Sequence, residues 1–101
     1  MRTFVNNFQT LTKVNGANAE DIFDIKIDGY NSVTIFNNTT SNLISWDNYY
    51  NYIQPNSFVK LEGKKDEYLY GILKIILFEQ ILGFPAPKCV LVKKRYIDAN
   101  V

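Results

Sequence analysis

The amino-acid sequence predicts an α+β fold, a small and mainly antiparallel sheet carrying two helices in the order β-β-β-α-β-α-β. Three observations carry that expectation. Tyr68 to Leu82 is the only long apolar run, and at a helical period only Glu67, Gly71 and Lys74 stay on a wet stripe, with Phe78 on the same line. Phe23, Ile25 and Ile27 alternate with Asp24 and Lys26, as in a half-buried strand. Trp46, Tyr49, Tyr50 and Ile53 fall on one helical face.

Phe8 to Val14 is Thr-rich and β-prone, so the first element reads as a strand, although Phe4, Phe8 and Leu11 also fit a helical face. Asn15-Gly16 marks a turn. Residues 22–27 and 32–36 then read as a hairpin around Asp28-Gly29-Tyr30-Asn31, whose residues tolerate positive φ. A polar loop occupies 37–42. Ser45 reads as a helix N-cap, with Asp47 in the first turn, Ile44 stapled to Tyr49 and Pro55 as the stop. Phe58 to Glu62 is a short strand closed by Gly63. The long apolar helix, 66–82, packs on the sheet and ends at Gly83 and Pro85. Pro85-Ala86-Pro87 extends into a last apolar strand, Cys89 to Val92.

At 101 residues and 47% hydrophobic, the chain is expected to form a single domain, 1–101, whose core needs no metal or disulfide. Net charge +1 supplies no global field for nucleic acid or membrane. The halves differ: residues 1–55 hold three bases against five acids, and 56–101 hold eight against five. There is no histidine, which removes His-based acid–base catalysis, His-activated nucleophiles and His-bearing metal sites. The lone cysteine, Cys89, reads as an inert core thiol. The five glycines are scattered singly, so no phosphate-cradling loop is present and no cofactor is expected. The apolar run is too short and too charged to cross a membrane, and no signal segment leads the chain, which points to the cytoplasm of a bacterium or an infected host. Richness in Asn, Ile, Lys, Tyr and Phe suggests an AT-rich genome, as in a low-GC bacterium, a phage or a virus.

Two surface clusters stand out. Lys88, Lys93, Lys94 and Arg95, followed by Tyr96, could grip nucleic-acid phosphates and stack a base. Asn48, Asn51 and Tyr52 fall outside the apolar face of the first predicted helix and suit adaptable contact with a protein partner. Phe78, on the wet stripe of the second, leaves room for a homodimer contact. The expected function is therefore non-enzymatic binding of a macromolecule, above all a protein, as in an inhibitor or immunity-type protein encoded by a phage, virus or mobile element. Nucleic-acid binding through 88–96 is an alternative.

A further alternative comes from Phe58-Val59-Lys60-Leu61-Glu62-Gly63-Lys64, followed by the apolar segment from Tyr68 and by Gly83-Phe84-Pro85. This order resembles the C-terminal half of the PD-(D/E)xK nucleases. The resemblance implies that Glu62 holds magnesium and that Lys64 stabilises the attacked phosphate. It also requires an upstream acid, for which Asp28 and Asp47 are the candidates. No glutamine opens the following apolar segment, where one branch of that family places it.

Overall fold

A computed structural model of the protein describes residues 2–39, 42–65 and 67–98, leaving aside the side chains of Arg2 and Asp98. Among these residues there is no helix. The chain forms eight strands: β1 (Arg2–Thr12), β2 (Asp21–Tyr30), β3 (Ser32–Asn37), β4 (Ile44–Ser45), β5 (Tyr52–Ile53), β6 (Phe58–Glu62), β7 (Leu69–Leu77) and β8 (Lys88–Asp98). They build two four-stranded sheets, β1-β8-β3-β6 and β2-β7-β4-β5. Every pairing is antiparallel. Val33, Ile35, Cys89 and Leu91 of the first sheet meet Ile25, Ile27, Ile44, Ile53, Ile75 and Leu77 of the second in one buried cluster. The architecture is a β-sandwich, not the predicted α+β fold.

The long apolar helix expected over 66–82 is instead β7 and the irregular segment after it; its first residue, Asp66, lies outside the described residues. A continuous apolar run fits either a buried helix or a strand apolar on both phases, and here the β-branched and aromatic content decides; on the outer phase Tyr70 and Ile72 are exposed. Leu73, Ile75 and Leu77 face the core, while Ile76 points the other way and is equally buried. Its cover comes from the β4–β5 loop. Tyr49 is held at Ser45 on β4, its amide donating to Ser45 Oγ at 2.8 Å, and its hydroxyl donates to Glu20 at 2.5 Å. The residue thus lies across the row Ser45–Ile76–Ile22. Gly71, at φ 134°, sits where any side chain would be strained.

The helix expected from Ser45 is also absent. Asn48 and Tyr49 take φ of 46° and 71°, which a right-handed helix excludes. Ser45 does accept a main-chain N–H, as a cap would, but it closes a loop. Segments 22–27 and 32–36 are strands, yet they do not form a hairpin: β2 pairs with β7 and β3 with β6 and β8. A β-bulge at Gly29 (φ 78°), between Asp28 and Tyr30, carries the chain from one sheet to the other. Thr40 and Ser41 of the predicted polar loop lie outside the described residues.

Asn31 fixes this corner. Its amide donates to Lys94 O at 2.7 Å, its Oδ1 accepts from the Tyr96 amide at 2.7 Å, and its Nδ2 donates to Glu67 O at 3.0 Å. Gly63 donates to Asn31 O, and a Cβ there would stand 2.8 Å from Glu67 O. Beyond this point β1 and β8 continue alone as a two-stranded ribbon, which helps give the molecule extents of 55 × 21 × 20 Å.

Candidate nucleic-acid interface

Strand alternation decides what the first sheet shows to solvent. Val33, Ile35, Cys89 and Leu91 point inward, so Phe36, Val90, Val92, Lys94 and Tyr96 point out, with Phe58, Lys60 and Glu62 on β6 and Phe4, Asn6 and Phe8 on β1 in register beside them. Reading across the strands, one row is Thr10, Val90, Phe36 and Phe58, and the next is Phe8, Val92, Thr34 and Lys60. The third is Asn6, Lys94, Ser32 and Glu62. Phe4 and Tyr96 follow.

Phe8 and Phe58 are 67% and 60% exposed. Phe36 and Phe58 lie 5.4 Å apart at one end of the face, and Phe4 and Tyr96 meet edge-on at 6.2 Å at the other. The six-residue step from Val90 to Tyr96 separates these pairs by roughly 20 Å. Lys60 and Lys94 lie between them, the Lys94 ammonium 4.6 Å from the Phe4 ring centroid. Near the corner the face deepens into a cavity of about 370 Å³ whose lining includes Lys60, Glu62, Lys64, Lys65, Lys94 and Tyr96.

The basic run 93–95 is therefore split. Lys88, Lys94 and Tyr96 share the solvent face. Lys93 and Arg95 have the opposite phase and stack over Tyr30 at 5.6 and 4.6 Å. Arg95 Nε and Nη2 donate to Gly29 O and Asp28 O at 2.7 and 2.6 Å, so its charge serves the sheet corner. Lys93 donates to Gln9 Oε1 at 3.1 Å.

Glu62 and Lys64 line the same cavity, where Glu62 is the only acid among the described residues and sits 3.7 Å from the Lys60 ammonium. Asp47 is in the β4–β5 loop of the other sheet, accepting from Asn51 Nδ2 at 3.1 Å. Among the described residues no three His, Cys, Asp or Glu side chains converge on a point. Lysines around a single carboxylate suit an anion better than a divalent cation.

Asn48, Asn51 and Tyr52 are exposed on that β4–β5 hairpin. Tyr52 stacks on Phe78 at 6.0 Å beside an open groove of about 560 Å³ that also includes Leu43, Ile81, Glu20 and Glu79. The bond to Glu20, with some burial, raises the Tyr49 phenol above its ordinary value. Cys89 is buried, and desolvation pushes its thiol up to about 12. No helix among the described residues is long and apolar enough to cross a membrane.

Sequence reasoning overlooked Phe8, Phe36, Phe58 and Lys60. Phase would have found them: Phe58 shares its alternation with Lys60 and Glu62, and Phe36 shares its own with Thr34, while Val33, Ile35, Val59 and Leu61 take the other. In comparisons with known proteins no family model, no curated sequence and no solved structure matches this chain.

Proposed function

We propose that the protein is a non-catalytic binding module that lays single-stranded nucleic acid across the solvent face of the β1-β8-β3-β6 sheet. The observation that carries this reading is the interleaving of exposed rings (Phe8, Phe36, Phe58) with Lys60 and Lys94 on one sheet face. Rings give each base a stacking platform irrespective of its identity, and ammonium groups between them neutralise the connecting phosphates. Glu62 is the single acid on that surface among the residues whose side chains are described, and Lys60 is at its side. The near-neutral whole chain is no obstacle, because screening leaves only local charge to act at contact range.

Fluorescence anisotropy with labelled single-stranded DNA and RNA tests this. Binding should weaken as salt rises. Phe8→Ala or Phe58→Ala should lose about 1–3 kcal/mol of affinity. Lys60→Gln and Lys94→Gln should each reduce the salt slope by about 1. Absence of binding to either strand at low salt sinks the proposal. It would return the reading to a protein partner, for which the groove beside Tyr52 and Phe78 is the supporting feature.

A further inference from the structure

Four strands border the two sheets, and three of them resist pairing with a neighbour. β5 has two residues, β6 has five and carries Lys60 and Glu62, and β2 carries Asp21, Asp24, Lys26 and Asp28. β1 differs. From Thr3 to Thr12 it has no charge, no proline and no glycine, it runs in unbroken register with β8, and among the described residues no strand lies along its other side.

The main-chain groups on that free side can be assigned. Lys88 O and Lys94 O accept from Asn38 and Asn31, so the even residues of β8 face β3 and the odd ones face β1. Through the register Val5↔Arg95 and Asn7↔Lys93, the odd residues of β1 bond to β8. Phe4, Asn6, Phe8 and Thr10 therefore present their N–H and C=O groups outward.

We infer that β1 is the surface through which two copies of this chain pair, antiparallel about a twofold axis at Asn6. Phe4-Val5-Asn6-Asn7-Phe8 is nearly palindromic about its centre, so this axis sets Asn6 opposite its own copy and Phe4 opposite Phe8 of the second copy, twice. Both rings stand on the solvent face and are more than half exposed, so pairing gives cross-strand aromatic contacts as well as a ladder. Neutrality along the strand means that like charges do not meet across the axis. Because the axis stands normal to the sheet, the exposed faces of both copies lie on the same side, in one eight-stranded surface. The pairing does not require that nucleic acid bind there.

Sedimentation equilibrium of the full chain without nucleic acid, across the micromolar range, should show mass rising to that of two chains. Asn6→Pro removes the outward N–H at the axis but none of the bonds to β8, and should stay at the mass of one chain. Asn6→Cys should oxidise to a linked pair, since hydrogen-bonded neighbours lie about 5.5 Å apart, within disulfide reach. The unaltered chain should not crosslink, its one thiol being buried. A constant single-chain mass with no crosslinking of Asn6→Cys overturns the inference, even if Asn6→Pro fails to fold. Faster crosslinking of Asn7→Cys or Phe8→Cys overturns the proposed axis.

Discussion

The outer faces of the two sheets differ where the β4–β5 loop lies, while farther along the second sheet Tyr70 and Ile72 are 71% and 69% exposed. On β2-β7-β4-β5 the chain doubles back: Tyr49 arches from Ser45 to Glu20, and Ile76 beneath it has 0% exposure, like any core residue. On β1-β8-β3-β6 no strand among the described residues crosses, and Phe8 and Phe58 stay in water beside lysines. Apolar residues on a solvent phase thus have two fates in one molecule. Where a loop covers them they add to stability. Where none does, they form a surface with an unmet demand for contact.

Ile76→Ala should break that contrast most forcefully, lowering unfolding free energy by about 2–5 kcal/mol in denaturant titrations, because a covered outer-face residue behaves as core. Phe58→Ala, removing a larger side chain, should shift stability by only about 0.5 kcal/mol while weakening the proposed ligand contact. Equal losses from both would show that the first sheet's face is covered after all. Next comes Asn31→Ala at the corner, which leaves the Tyr96 N–H and Glu67 C=O without their partner and should cost about 1–3 kcal/mol.

The smallest effect concerns pH, at the edge where the covered face begins. Asp21 is almost fully buried and accepts from the Lys13 ammonium and the Asn15 amide, at 2.8 and 2.9 Å. Burial alone would raise its carboxyl, but these partners outweigh it and hold the group below its ordinary 3.8. Its stabilisation is present above that ordinary value and is lost as pH falls through the lower value in the fold. Thermal midpoints of Asp21→Asn should therefore fall less steeply on acidification than those of the unaltered chain.

Alternation made several strands legible, although not the all-β fold class. Phe23-Ile25-Ile27, Val33-Ile35 and Val59-Leu61 identify their strands, and Cys89 with Leu91 identifies the inward phase of the last. What the pattern could not disclose was pairing, since β2 and β3 differ in partner but not in periodicity. The 68–82 run misled because both of its phases are apolar, one facing the core and the other partly lying under Tyr49. Tyr and Trp at helical spacing near 46–53 misled for a related reason, since positive φ at Asn48 and Tyr49 depends on contacts made across the sheet. At the candidate face, Lys94 and Tyr96 stood out as a local cluster. Phe8, Phe36 and Phe58 do not, because only their phase relative to strand neighbours separates them from core residues.

The pairing of β1 with β8 also governs how the chain is born. On the ribosome, β1 emerges more than seventy residues before its mate. Throughout that interval a neutral, aromatic-bearing strand waits unmatched, and contacts so distant in sequence close slowly. The pairing inferred above would let adjacent nascent chains meet through β1 before β8 is made.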